Sequence, residues 1–283
     1  MDTAKQVKKS LFLSLEKRKK NAGEKERESL RICVCNTIKK ELRQSANQEK
    51  ARLLQRFFKT GKGEYGEGDV FLGVVVPETR RVAKKHFMEI DFAGVERLLD
   101  SKMHEDRLCG LLILVLKFNK AKGDEKMRKE IFDFYISHAK LANNWDLVDL
   151  SAPAISGGYL WEACESGNET EKEILYRFAK SENLWERRIA VLSTFAFIRE
   201  KSFSDSFRIA EMLLQDKHDL IHKAVGWMLR EIGKRDKKAE ENFLEKHCAK
   251  MPRTMLRYAI EKFPQAEREK YLRGFVQNPG SHK

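Results

Sequence analysis

Apolar residues recur along this chain with a helical period, in amphipathic stretches separated by short polar breaks. The pattern predicts helices near 4–20, 25–46, 48–59, 78–87, 92–100, 104–118, 124–139, 143–165, 170–180, 183–199, 204–215, 219–234, 238–249 and 253–262. Start signals mark several of them: Pro77 followed by Glu78, Asn143 before Trp145, and Asn168 with Thr170 and Glu171. One candidate strand stands out, Phe71 to Val76. With only five prolines and no regular β-branched alternation, the fold class is all-α.

Four of the helices look alike. Aligning 104–118, 184–198, 220–232 and 254–263 places Gly110, Ala190, Ala224 and Ala259 at one small-residue position, with spacings of 80, 34 and 35. The first spacing is close to two periods. A helix-pair repeat of that length predicts a HEAT-like α-α superhelical solenoid, C-shaped, in which each repeat hides its apolar face on its neighbour and the array offers one concave surface.

The net charge of +13 suggests a polyanion partner, but 18 Lys and Arg against 7 Asp and Glu in residues 1–62 supply +11 of it. Further along, a basic surface must come from how helices sort charge by face. Residues 1–35 are expected to be a basic helical or partly disordered extension, 36–275 the repeat domain and 276–283 a disordered tail. The longest apolar run, Cys109 to Leu116, is too short for a bilayer span, and the N-terminal apolar stretch is too polar for a signal peptide, so no membrane association is expected. Five cysteines without a paired CxxC set predict reduced thiols in a cytoplasmic protein.

Gly61-Lys-Gly63-Glu-Tyr-Gly66 fits the dinucleotide fingerprint GxGxxG, but a helix precedes it and Glu67 and Asp69 follow where a pyrophosphate would sit. It is therefore expected to be a loop, with no nucleotide cofactor. His218 and His222 share helix spacing but lack a third ligand and a general-base Glu, so no metal is assigned.

The helix from Leu220 to Lys234 is more telling. Ile221, Ala224, Val225, Met228, Leu229 and Ile232 account for its buried stripe and leave Trp227 off it, with Lys223, Arg230 and Lys234 as companions. An indole among cations suits a nucleic-acid strand or a covering helix equally. In Asn144-Trp-Asp-Leu-Val-Asp149, Trp145 and Asp149 share a face. Arg188 is a further candidate for the same surface, although Arg187 satisfies the periodicity as well.

Taken in order, Gly63-Glu-Tyr-Gly-Glu-Gly-Asp-Val-Phe-Leu-Gly73 with Pro77 and Arg80-Arg81, Asn144 to Asp149, Leu184-Trp-Glu-Arg-Arg188 and Lys223-Ala-Val-Gly-Trp-Met-Leu-Arg230 resemble the AlkD-like DNA alkylation repair family of HEAT-repeat DNA glycosylases. The resemblance covers about residues 38–265. It implies a basic concavity that holds duplex DNA, with Trp145, Trp227 and Asp149 as catalytic residues at the lesion. Arg188, Arg230 and Lys223 would contact DNA.

The implied activity is hydrolysis of the N-glycosidic bond of cationic N3- and N7-alkylpurines in double-stranded DNA, by a monomer without a cofactor and without flipping the base. Such a base already carries its positive charge and leaves without a general acid, while a fixed carboxylate stabilises the oxocarbenium-like sugar. Some branches of the family keep the solenoid without excision activity, so the alternative is a scaffold that binds branched or damaged DNA. The Tyr65 loop and the Pro77 segment are expected to pack at the N-terminal end of the array.

Overall fold

The computed structural model describes residues 34–273, and the expected helix at 4–20, the extension up to residue 33 and the tail lie outside the described residues. Among the described residues every regular element is a helix, and the chain divides into two compact units.

The first unit takes residues up to Phe57 and Gly68–Ile113. It contains α1 (34–44), α2 (Gln48–Phe57), α3 (Val76–His86), α4 (Phe92–Leu99) and the first part of α5 (His104–Lys120). Pro77 sits in the first turn of α3, where a missing N–H costs nothing, and Asp91 caps α4 by accepting from the Gly94 amide at 3.0 Å.

The expected strand at Phe71–Val76 does not form; among the described residues only an isolated bridge, Val70 to Met103, is present. The reason is a buried carboxylate. Glu105 accepts the amides of Leu72, Gly73 and Val74 at 2.9, 2.8 and 3.1 Å, so these N–H groups need no partner strand. Gly73 adopts φ +81°, and a Cβ there would fall 2.1 Å from the Asn47 carbonyl oxygen, so only glycine fits.

The second unit takes Phe58–Glu67 and the chain from Leu114 onward. Its helices are α6 (Glu125–Ser137), α7 (Trp145–Ser151), α8 (Ser156–Glu165), α9 (Glu173–Ala179), α10 (Leu184–Arg199), α11 (Ser204–Met212), α12 (Asp219–Gly233), α13 (Lys237–His247), α14 (Arg253–Ala259) and α15 (Gln265–Leu272). The even-numbered helices α8, α10, α12 and α14 form one row in which each packs on the next, while α9, α11 and α13 pack against that row as a second layer. This two-layer stacking is the helical solenoid that the repeat spacing predicted.

Helix α10 is the centre of the unit, with Ile189, Ala190 and Leu192 fully buried. The predicted stripe of α12 is buried in full, from Ile221 to Ile232, and so are Ala190, Ala224 and Ala259 at the small-residue position. Gly226 lets α14 approach still closer: a Cβ there would lie 2.4 Å from the Met255 carbonyl oxygen and 2.5 Å from the Tyr258 Cβ.

One expected helix, 143–165, is two. Pro153 has no N–H to give the Asp149 carbonyl, and the chain turns over four residues between α7 and α8. A further helix, α15, was not anticipated; its weak amphipathicity and lack of buried residues give periodicity little to detect.

Candidate active site

Helix α7 is short, and its first turn sets the site. The cap is Asn144 rather than the expected Asn143: its side chain accepts from the Trp145 amide at 2.8 Å. Leu147 and Val148 are fully buried and fix the helix's rotation, which turns Trp145 and Asp149, one turn apart, to the opposite, half-buried face.

Arg188 on α10 clamps Asp149. Its Nε donates to Oδ1 and its Nη2 to Oδ2, both at 2.8 Å, and its Nη1 donates to the Leu220 carbonyl in the first turn of α12. A bidentate fork of this kind fixes the plane of the carboxylate as well as its position. One side chain thus ties together α7, α10 and α12. Burial pushes the Asp149 carboxyl above the ordinary aspartate value, and the nearby guanidinium offsets only part of that rise. Arg188 itself is 4% exposed with every guanidinium nitrogen on a protein acceptor. It is expected on DNA phosphate, yet the side chain is almost fully buried and three of its five N–H donors are held by Asp149 and the Leu220 carbonyl. The periodic alternative, Arg187, binds Asp216 at 2.7 Å and the carbonyls of Ser181 and Glu182.

Trp145 is held by a loop that sequence reasoning placed elsewhere. Phe58 stacks on its ring at 5.0 Å with an interplanar angle of 18°, and the Tyr65 side chain hydrogen-bonds with it, the indole N–H being its only donor. Tyr65 also meets Trp185 and His218 edge-on, at 6.2 and 6.4 Å, and the Lys223 charge acts on its phenol. Segment Phe58–Glu67 therefore belongs to the unit that carries α7, not to the N-terminal end of the array as expected. Its glycines serve the loop's own closure. The Gly66 amide reaches the Lys59 carbonyl at 3.1 Å, and those of Gly61 and Gly63 reach the Glu64 and Glu67 carboxylates at 2.8 Å each. These amides face the chain's own acceptors rather than a phosphate. The signal that could have located the loop was the pair Phe58 and Tyr65 bracketing a glycine run, since aromatic side chains on a polar loop need a surface to cover.

On α12, Trp227 is half-buried beside Phe195, with ring centroids 6.4 Å apart. Lys223 pairs with Asp219 at 2.7 Å, and Arg230 with Glu261 of the short turn after α14. The half-exposed cations of this face thus have carboxylate partners at hand. Sequence reasoning missed one residue here, Glu231, which accepts from the Trp227 indole at 3.3 Å. His218 accepts the Leu220 amide and His222 contacts the Asp216 carbonyl, which gives both rings structural employment.

The family model for DNA alkylation repair enzymes matches residues 38–263, most of the chain, and the site just described lies inside that span. The chain belongs to the DNA alkylation repair enzyme family. Among solved structures it is similar to one described as a predicted DNA alkylation repair enzyme from Enterococcus faecalis, at 17% identity and a TM-score of 0.59, over 78% of this chain and 98% of that one. At that identity the likeness speaks for the shared fold. A comparison with curated proteins finds no match. As a DNA alkylation repair family member the chain has DNA as its substrate class. Among the described residues no helix is long and apolar enough to cross a membrane. Cys35, Cys109, Cys164 and Cys248 are free thiols, and Cys33 lies outside the described residues.

Proposed function

We propose that this repair enzyme is a monofunctional DNA glycosylase of base-excision repair, acting as a monomer on duplex DNA that carries N3- or N7-alkylated purines. The observation that carries the reading is the Asp149 carboxylate, clamped in both position and plane by Arg188 and one turn from Trp145. In the reaction the C1′–N bond breaks and its electron pair neutralises the departing cationic base. Asp149 stabilises the oxocarbenium-like sugar and orients a water whose oxygen bonds to C1′, the proton passing to the carboxylate or to solvent. Because the base leaves as a neutral molecule, neither a general acid nor a cofactor is needed.

Trp145 and Trp227 hold the deoxyribose with their indole faces and attract the developing charge. The lesion is contacted from the backbone side, which does not require it to leave the stack. Lys223 and Arg230 meet phosphates by exchanging Asp219 and Glu261 for them, whereas Arg188 acts by holding Asp149, a different role from the phosphate contact expected of it. No lyase step is included: in this reading the Lys223 amine is given to phosphate and water is the nucleophile. Residues 36–275 act as one repair domain in this reading. The test is incubation with methylated duplex DNA and chromatography of the supernatant: free alkylpurine is expected, and intact DNA that is bound but never loses a base would overturn the enzyme reading in favour of a binding scaffold.

A further inference from the structure

Glu231 lies in the last turn of α12 and is only 7% exposed. Its Oε1 accepts from the Trp227 indole N–H at 3.3 Å and from Lys234 at 2.6 Å, and lies 4.0 Å from the Arg230 Nη2. Its Oε2 accepts from Arg235 at 3.2 Å, and Arg235 also donates to the Glu231 carbonyl at 2.8 Å. On the far side Arg235 and Arg199 cover the Phe195 ring, the neighbour of Trp227, at 5.7 and 5.3 Å. A buried carboxylate among three cations and one indole is more than a surface salt bridge, because in low dielectric each of its hydrogen bonds constrains geometry.

We infer that Glu231 is a positioning residue for Trp227: it fixes the rotation of the indole and, as an anion on the N–H edge, makes the ring face more negative toward a cationic sugar. This inference rests on the glycosylase reading above and deepens it. Two physical effects are involved. A half-buried tryptophan has a broad ring torsion, and one hydrogen bond at the N–H selects a single orientation. A negative charge accepting that hydrogen bond also polarises the π system, and attraction between an aromatic face and a cation grows with the electron density of the face. Burial alone would raise the Glu231 pKa, but the hydrogen bonds from Lys234 and Arg235 outweigh it and hold the carboxyl below its ordinary range. The group is therefore an anion at neutral pH. Arg230, one residue before it, keeps its own partner in Glu261.

The test separates action through Trp227 from general support. Glu231→Gln keeps size and one acceptor but removes the charge; single-turnover excision is expected to fall about tenfold with substrate affinity little changed. Trp227→Phe removes the N–H that Glu231 holds, so adding Glu231→Gln to it is expected to cost nothing more. Losses that multiply in the double variant would overturn the inference and leave Glu231 as scaffolding for Lys234 and Arg235. A second measurement does not depend on activity. The chain's four tryptophans give four indole N–H resonances, of which Trp227→Phe deletes one. Glu231→Gln is expected to move that resonance upfield and leave the other three in place; an unmoved resonance overturns the inference even in an active protein. If the wild-type protein released no base while the resonance moved as expected, the glycosylase reading would fail and the hydrogen bond would stand. Should Glu231→Gln not fold, Glu231→Asp, which keeps the charge but withdraws it by one methylene, carries the same expectations.

Discussion

At the scale of single residues, the Asp149–Arg188 pair yields the sharpest expectations. Asp149→Asn keeps the side chain's shape and removes its charge, so excision should fall by about 10²-fold or more while binding to undamaged duplex holds or tightens; single-turnover rates and equilibrium titration on the same variant check both. The pair also sets a pH dependence. The carboxylate is the working form, and its pKa lies above the ordinary aspartate value, so the excision rate should decline on the acid side earlier than an unperturbed aspartate, near about 3.9, would dictate. Arg188→Ala removes the one influence that lowers this pKa strongly, and the acid limb of the rate profile should then move toward neutral pH. A limb that stays in place would mean that Asp149 is not the titrating group. On α12, Glu261→Gln frees Arg230 from its partner and should tighten DNA binding at low salt, with a steeper dependence on salt concentration in a filter-binding or anisotropy titration.

At the scale of elements, two contacts decide how α12 and its neighbours seat. Gly226→Ala would drive a methyl into the Met255 carbonyl and the Tyr258 Cβ, so α14 must move; a loss of about 1–3 kcal/mol in denaturant unfolding is expected. Glu240 of α13 is buried, and burial followed by the charge of Glu241 lifts its pKa to about 9 despite the opposing charges of Arg230 and Lys237. Folded protein then binds a proton there that the unfolded chain releases above its ordinary pKa. This group's stabilisation is complete at low pH and is lost progressively as pH rises toward about 9. Glu240→Gln should therefore melt at nearly the wild-type temperature near pH 4 and increasingly above it as pH rises to 8. Elements were also where the sequence was most legible. The stripe from Ile221 to Ile232 and the small positions from Ala190 to Ala259 could be read directly, because a buried face imposes a period on its own helix. What could not be read lay in contacts between residues distant in sequence. Tyr65 reaches a residue far along the chain, and Arg188 turns inward to a carboxylate rather than outward; Glu231, only four residues from Trp227, is the exception, a local contact that helical spacing does offer. Periodicity gives the face a residue occupies and is silent about its partner there.

At the scale of the whole molecule, charge is distributed in a way that the net value of +13 conceals. Beside Trp227, Lys223, Arg230 and Lys234 pair with Asp219, Glu261 and Glu231 of the same fold. Binding then trades a carboxylate for a phosphate at each of these cations, and the carboxylate left behind takes up a cation from solution, which offsets part of the counterion release from DNA. The expected signature is a salt slope shallower than about −0.9 per phosphate touched, measured between 50 and 200 mM salt. A slope with the full value for Lys223 and Arg230 would mean that their intramolecular pairs do not persist in solution.

The loop Phe58–Glu67 has a consequence in time. It is assigned to the second unit although the chain on both sides of it is assigned to the first, and Tyr65 is made 80 residues before the tryptophan it holds. At ordinary speeds of protein synthesis that gap lasts ~4–16 s. Throughout it the glycine clasp can close, since Lys59, Glu64 and Glu67 are all local, but Phe58 and Tyr65 have nothing to rest on. The aromatic platform consequently cannot exist before Trp145 is made, about halfway along the chain, and a nascent chain halted before α7 carries the clasp without the site it serves.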